Sequence, residues 1–344
     1  MANLAVSGTC NLSCDFCFAA DHMRATRDRP ALPFLSLEAF DDRLDFLDRS
    51  GIDEVRLIGG EPTLHPRFDD LVRRAVDRGK EVVVFTHGVM PRRALAALAA
   101  LPAEACRVVV NMNAHGGAGS DSASISARRL ATIRRLGPRV VLGHTIQRVD
   151  FDLSELIALV RAHGCRPRIR LGLAHVMLSG GNAFLHPKHY PAVGRRVAAA
   201  ASAAGAAGIQ LELDCGFVRC MFTDDDVAAL RRSGTEIGLH CGPILDIDVG
   251  GRVIHCFPLA ERVGTPLTLA DDASALRDAL ARQVAGYRRA GVYRECQACA
   301  FRERGECTGG CLSFTIRRFR SMPGRLRVPA PPRGADPARP GRFD

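Results

Sequence analysis

The 344-residue chain has no tryptophan, three tyrosines and only two lysines, Lys80 and Lys188. With so few large aromatic rings it lacks the base-stacking platform of a single-strand nucleic-acid binder. Its formal net charge of +10 is therefore carried almost wholly by arginine. Pairs such as Arg73-Arg74, Arg128-Arg129 and Arg231-Arg232 fall on helix-patterned segments and read as solvated faces, so nucleic acid is not the expected substrate. No apolar run reaches the roughly 18 residues of a membrane span. Met1-Ala2-Asn3-Leu4-Ala5-Val6 has no basic n-region, which argues against a secretory signal. Thirteen cysteines would imply disulfides in a secreted protein, yet their spacings are those of metal sites, whose thiolates need a reducing compartment. The expected location is cytoplasmic.

What the chain does have is a cysteine triplet at its start. Cys10, Cys14 and Cys17 lie in Thr-Cys-Asn-Leu-Ser-Cys-Asp-Phe-Cys-Phe, a C-x3-C-x2-C spacing on a short loop. Three thiolates on one loop can converge on one inorganic centre and leave a metal position open. An iron–sulfur cubane ordinarily takes four cysteines, so three leave an iron for a substrate or cosubstrate. Zinc is the alternative, but a structural zinc wants a fourth protein ligand, and only His22, beyond Phe18-Ala19-Ala20, is nearby. Further on, Val55-Arg56-Leu57-Ile58-Gly59-Gly60-Glu61-Pro62-Thr63-Leu64 reads as a short buried strand and a turn. Two glycines let the backbone approach a ligand, and Glu61 offers a carboxylate to an ammonium group. The other reading is an ordinary strand-end turn.

The triplet, Asn11-Leu12-Ser13 within it, Phe16 before its last cysteine and the later Gly-Gly-Glu-Pro resemble the signature of the radical S-adenosylmethionine (SAM) superfamily. The resemblance implies that Cys10, Cys14 and Cys17 hold a [4Fe–4S] cluster whose fourth iron chelates SAM. It implies that an electron cleaves SAM to a 5′-deoxyadenosyl radical, and that the motif of Gly59, Gly60, Glu61 and Pro62 grips the amino group of SAM's methionine.

From residue 2 to about 213 strands and helices alternate: strands near Asn3–Val6, Asp53–Ile58, Lys80–Phe85, Cys106–Met112, Val140–Ile146, Ile169–Leu173 and Ile209–Leu213, separated by helical patterns. Ser36 is placed to cap the helix before Gly51. Six βα units with right-handed crossovers imply a parallel sheet covered by helices. The fold class is α/β, and the resemblance implies a partial (β/α)6 TIM-like barrel. Chemistry then gathers at the C-terminal strand ends, which carry Thr86-His87-Gly88, Asn111, Asn113, His115, His144, Thr145, Gln147 and His175. Asn111, Asn113 and His144, with Phe16, are the candidate wall for SAM and substrate. His87 departs from the family's usual Thr-Asn-Gly. The loop from Leu178 to His186 either closes over substrate or simply connects.

After residue 213 the alternation stops and cysteines return at 215, 220, 241, 256, 296, 299, 307 and 311. Gly250-Gly251 between apolar runs signals a hairpin. Cys241, Gly251 and Cys256, then Cys296, Cys299, Cys307 and Cys311, resemble the SPASM/twitch extension of radical SAM enzymes, with two departures. The Cys299–Cys307 gap is longer than usual, and no cysteine follows Cys311. By that resemblance Cys241, Cys256 and Cys311 hold one auxiliary cluster, completed by Cys215 or Cys220. Cys296, Cys299 and Cys307 hold another, three-coordinate or completed by a non-cysteine ligand. One cluster alone, or zinc at the last four cysteines, stays open, as do other roles for Cys215 and Cys220. Cys106 and Cys165 read as plain buried thiols. The expected domains are 1–213, 214–316 and a disordered basic tail, 317–344.

The expected function is radical hydrogen abstraction from a peptide, ending in a crosslink or an oxidation. A sugar-like or nucleoside metabolite is the alternative substrate, and an iron–sulfur electron carrier the alternative class. A flavodoxin- or ferredoxin-type protein would supply electrons. With nine residues before Cys10, an N-terminal peptide-recognition domain is not expected. No residue stands out as a catalytic acid.

Overall fold

A computed structural model describes residues 1–27, 33–114, 122–268 and 272–320. Seven parallel strands follow one another in space as in sequence: β1 (Ala2–Ser7), β2 (Glu54–Gly59), β3 (Glu81–Thr86), β4 (Cys106–Asn111), β5 (Val140–Ile146), β6 (Arg168–Leu173) and β7 (Gln210–Leu213). Each of the first six is followed by a helix, among them Leu37–Arg49, capped by Ser36 as expected, and Arg92–Ala100. The sheet does not stop at residue 213. β8 (Asp246–Ile247) pairs parallel to β1 on its free side, and β9 (Arg252–Ile254) and β10 (Gly264–Pro266) extend it antiparallel. The order is therefore β10-β9-β8-β1-β2-β3-β4-β5-β6-β7, and the hairpin at Gly250-Gly251 belongs to the same sheet as the core.

Because strand side chains alternate between faces, the sheet has two distinct sides. Leu4, Leu57, Val84, Val110, Leu142 and Leu171 pack against helix residues such as Phe40, Leu71, Leu98 and Val197. Each fully buried side chain of this kind stabilises by about 1.5–3 kcal/mol. The face away from the helices carries Ala5, Ile58, Val83, Val109, Val141 and Phe85, together with charge. Arg56 and Arg170 stand over the Phe85 ring at 5.9 and 4.8 Å. Arg107 meets Glu81 at 2.7 Å, and Arg170 meets Asp214 at 2.8 Å.

Two expectations need correction. The chain stays helical beyond residue 317, since the helix Leu312–Arg320 closes the described part with Leu312 and Ile316 buried. The rest of the expected tail, 321–344, and His115 lie outside the described residues. Sequence patterning also missed the helix Asp224–Arg232, whose capping box of Thr223 and Asp226 was a readable start signal.

Candidate metal centres

The cysteine triplet occupies the loop leaving β1, and the Gly-Gly-Glu-Pro turn leaving β2 is tied to it. Gly60 N donates to Ser7 O at 2.9 Å and Glu61 N to Thr9 O at 2.7 Å. A Cβ on Gly59, whose φ is +146°, would stand 2.2 Å from Ser7 O; one on Gly60 would stand 2.2 Å from Thr9 O. The two glycines are thus required by close packing of the turn on Ser7 and Thr9.

Glu61 is fully buried and its carboxylate is engaged within the protein. Oε1 accepts from Thr63 N at 3.2 Å, from Thr63 Oγ1, and from Thr86 Oγ1 at 2.9 Å. Oε2 accepts from His87 N at 3.1 Å and lies 3.1 Å from His87 Nε2. His87 Nδ1 accepts from Val89 N, while Nε2 is 2.9 Å from Asn11 Oδ1. One ring nitrogen accepts, so the proton sits on Nε2, shared between Asn11 and Glu61. Burial, the largest influence, lowers the His87 pKa, in keeping with this neutral ring. His87 thereby clamps the cysteine loop to the end of β3. Pro62 and Phe16 are both buried.

Burial raises the Cys10 thiol to about 11, with nearby Glu61 and Cys17 adding to it. Burial also raises Cys14, helped by Cys17 and Cys10, and burial raises Cys17. The three thiols are mutually close and mutually repelling as thiolates, a donor set that calls for a multiply charged metal centre. A cubane takes each thiolate on a different iron and can leave its fourth iron to another ligand, which three thiols on one loop can satisfy; a structural zinc would want a fourth protein donor.

The expected polar wall fares unevenly. Asn111 Nδ2 donates to Thr145 Oγ1 at 3.1 Å, and its Oδ1 accepts from Asn113 N. Asn113 is 5% exposed and spans to β5 through Thr145 N at 2.6 Å and Thr145 O at 2.8 Å. Its side-chain amide joins the two strands. His144 shares the helix-facing side with Leu142 and Ile146 and stacks on Phe151 at 6.1 Å. Burial alone lowers it to about 4. Strand alternation turns it away from the charged face. Asn111 remains on the charged face, at the strand ends.

The segment from Leu178 to His186 rests on the cysteine loop: Ala183 N donates to Asp15 O at 2.8 Å, and Ser179 Oγ bonds Asp21. Beside it a cleft of about 410 Å³ is lined by residues including Gln147, Arg148, Phe184, His186 and Lys188.

The remaining cysteines fall into two groups. Burial pushes Cys256 well up, and the charges of Cys241, Cys311 and Cys215 act on it too. Burial raises Cys241 to about 11, with Cys215 and Cys311 again contributing. His175, expected on the strand-end wall, instead lies here, its Nε2 3.6 Å from Cys215 Sγ. Burial opposes both charges, yet imidazolium and thiolate support one another: His175 is raised and Cys311 is brought down to about 6. In the second group burial raises Cys220 to about 11, with Cys296, Cys307 and Cys299 adding to it. These same four line one small cleft with Val218, Arg219, Phe301 and Arg302. Cys106 and Cys165 are buried thiols outside both groups. Sequence reasoning also passed over Arg56, Arg170 and Asp214. Charge at every second position of otherwise apolar strands, as in Arg168-Ile-Arg170-Leu, was the available signal.

Comparison with known proteins agrees with this geometry. Residues 4–118 match the family model of the Radical SAM superfamily. The GTP 3′,8-cyclase of Chlorobaculum tepidum is 34% identical over 97 residues, 28% of each chain. The S-adenosylmethionine-dependent nucleotide dehydratase of Selenomonas ruminantium is 34% identical over 87 residues, 25% of this chain and 29% of that one. The similarity thus spans less than a third of these curated relatives. In fold, Streptococcus suis SuiB bound to the precursor peptide SuiA matches with TM-score 0.65 over 92% of this chain and 72% of its own, at 14% identity. The anSMEcpe structure with bound AdoMet and the Kp18Cys peptide matches with TM-score 0.59 over 90% and 89%, also at 14%. Residues 4–118, which carry the cysteine motif and the Gly-Gly-Glu-Pro turn, are thus similar to the Radical SAM superfamily, and the fold over nine-tenths of the chain is that of the SuiB and anSMEcpe structures.

Proposed function

We propose that the protein is a radical SAM enzyme that abstracts hydrogen from a peptide substrate. The observation that carries the reading is the placement of Cys10, Cys14 and Cys17 on one short loop pinned to Gly59-Gly60-Glu61 at the C-terminal strand ends. When bound there, a [4Fe–4S] cluster supplies the electron that cleaves SAM and yields the hydrogen-abstracting radical. The chain's own part is positional. Glu61, Thr63, Thr86 and His87 lock the turn, and His87 holds Asn11, so that the three thiols present a fixed face. Asn111 and the Arg170–Asp214 pair face the same side of the sheet and offer polar contacts to a substrate. The Leu178–His186 segment, resting on the cysteine loop, limits water on that flank.

A peptide is favoured because two of the neighbours that match this fold over nine-tenths of the chain were solved with peptides, and the open cleft beside the 178–186 segment suits an extended chain. A nucleotide is the second reading, supported by relatives named for nucleotide chemistry but similar only over a quarter of the chain. Cys241, Cys256 and Cys311, and Cys296, Cys299 and Cys307, would hold auxiliary clusters. The test is anaerobic reconstitution with iron and sulfide, reduction with SAM, and chromatography for 5′-deoxyadenosine. It should form with the parent and vanish in the Cys10/Cys14/Cys17→Ala variant. A fully loaded parent that forms none with dithionite, SAM and a peptide library would refute the proposal.

A further inference from the structure

Eight cysteines after residue 213 form the two groups described above, four in each, although the C-terminal motif supplies only six of them. We propose that the two upstream cysteines are divided between the groups, Cys215 to Cys241, Cys256 and Cys311, and Cys220 to Cys296, Cys299 and Cys307, so that neither auxiliary cluster keeps an open iron. The inference rests on the auxiliary-cluster reading above and decides what those clusters can do.

The Cys220 assignment stands on geometry. It lies in the single turn Arg219–Met221, far upstream of its three companions, yet it lines one cleft with all of them. The turn is held there from both sides. Gly194 on the helix Tyr190–Ala206 must lack a side chain, because its Cβ would stand 1.9 Å from Met221 O. Arg219 lies over the Phe301 ring at 4.6 Å, and its Nη1 donates to Phe222 O at 2.7 Å. On the partner side, Gly291 must also be bare, since its Cβ would meet Cys296 Sγ at 2.7 Å. Arg302 bonds Cys296 O and donates to Arg289 O and Arg288 O, fixing the loop that carries Cys296 and Cys299. Cys307 Sγ accepts from Gly309 N at 3.3 Å. Two rigid pieces from different parts of the chain thus present four thiols to one space.

A packing role does not account for Cys220. Cys106 and Cys165 are buried, as inert thiols are, whereas Cys220 is exposed at the rim of its cleft. Cys220 then supplies the fourth thiolate of its group from upstream. In the other group Cys215 is placed by Gly216, whose Cβ would collide with the His175 ring at 2.1 Å, and by His175 Nε2, which lies 3.6 Å from Cys215 Sγ and 3.2 Å from Cys215 O. Four cysteines saturate a cubane. A substrate atom therefore has no iron to ligate in either site, and direct anchoring of substrate to an auxiliary cluster is excluded.

The test uses the full chain carrying Cys10/Cys14/Cys17→Ala, so that only auxiliary iron is counted. Anaerobic reconstitution should give two clusters, about eight irons per chain, with no three-iron EPR signal after mild oxidation. Adding Cys220→Ala should either remove about four of those irons or create that three-iron signal, because three cysteines cannot hold the fourth iron firmly. Adding Cys106→Ala should change neither readout. A Cys220→Ala protein identical to its parent in iron, sulfide and EPR would overturn the assignment while leaving the auxiliary clusters in place. A three-iron signal already in the parent would overturn saturation. Zinc without iron in the parent would overturn the auxiliary-cluster reading itself.

Discussion

Glu61→Gln separates two roles for one carboxylate. If Glu61 serves only a bound ligand, the substitution leaves the stability of the SAM-free protein unchanged. The geometry says otherwise. Oε1 faces the Thr63 amide and two threonine hydroxyls, and Oε2 faces His87 N–H and His87 Nε2. A glutamine must place its NH2 on one side. Towards His87 it meets two donors that cannot turn away, since Nδ1 already accepts from Val89 N. Towards Thr63 the hydroxyls can rotate to accept, but the amide N–H is stranded. The second arrangement is cheaper. It leaves a buried donor unsatisfied, about 1–3 kcal/mol, and removes charge assistance from the surviving bonds, which roughly halves them. The expected loss is about 2–4 kcal/mol, read as a lowered urea midpoint at unchanged slope without SAM. A shift below about 0.5 kcal/mol, the size of an ordinary surface change, would refute this role for the carboxylate.

Two further outcomes follow from other buried charges. Burial raises Asp246 from 3.8 to about 7, despite bonds from Asn3 and Phe257 N. A raised acid contributes stability that is full below about pH 4 and is lost as pH rises to 7. Asp246→Asn should remove that loss, because its NH2 can serve Asn3 Oδ1, which is buried without a partner, once the Asn3 amide turns over. Unfolding midpoints of the two proteins that run parallel from pH 4 to 8 would contradict this. Lys80, 5% exposed, donates to Ile52 O at 2.8 Å and meets Asp48 at 2.6 Å. Lys80→Met should cost about 1–3 kcal/mol by stranding that carbonyl; an unchanged denaturation midpoint would count against it.

The sheet and its six βα units were legible because apolar strands, caps and glycine stops repeat at regular intervals, as at Ser36, Gly51 and Gly79. The cysteine triplet was legible because its ligands are adjacent in sequence. What sequence could not give is which way a polar strand residue faces when a neighbour competes for it. His144 and Asn113 looked alike as polar strand-end residues, yet one packs under Phe151 and the other is consumed by Thr145. The partition of Cys215 and Cys220 was illegible for a related reason. They are five positions apart and diverge because Gly216 and the Arg219–Met221 turn send the chain in different directions.

The pairing of β1 has a bearing on how the protein is made. β1 leaves the ribosome well before either neighbour, and its β2 side is covered after some fifty further residues. Its other side waits for β8, and Asn3 reaches Asp246 across 243 residues of chain. Until β8 emerges, the strand that carries the cysteine loop is a bare sheet edge, a template for pairing with other chains. The loop is framed on both flanks only once Asp246–Ile247 has been added. Metal loading before that moment would meet a half-supported loop, so maturation should favour the completed chain over the nascent one.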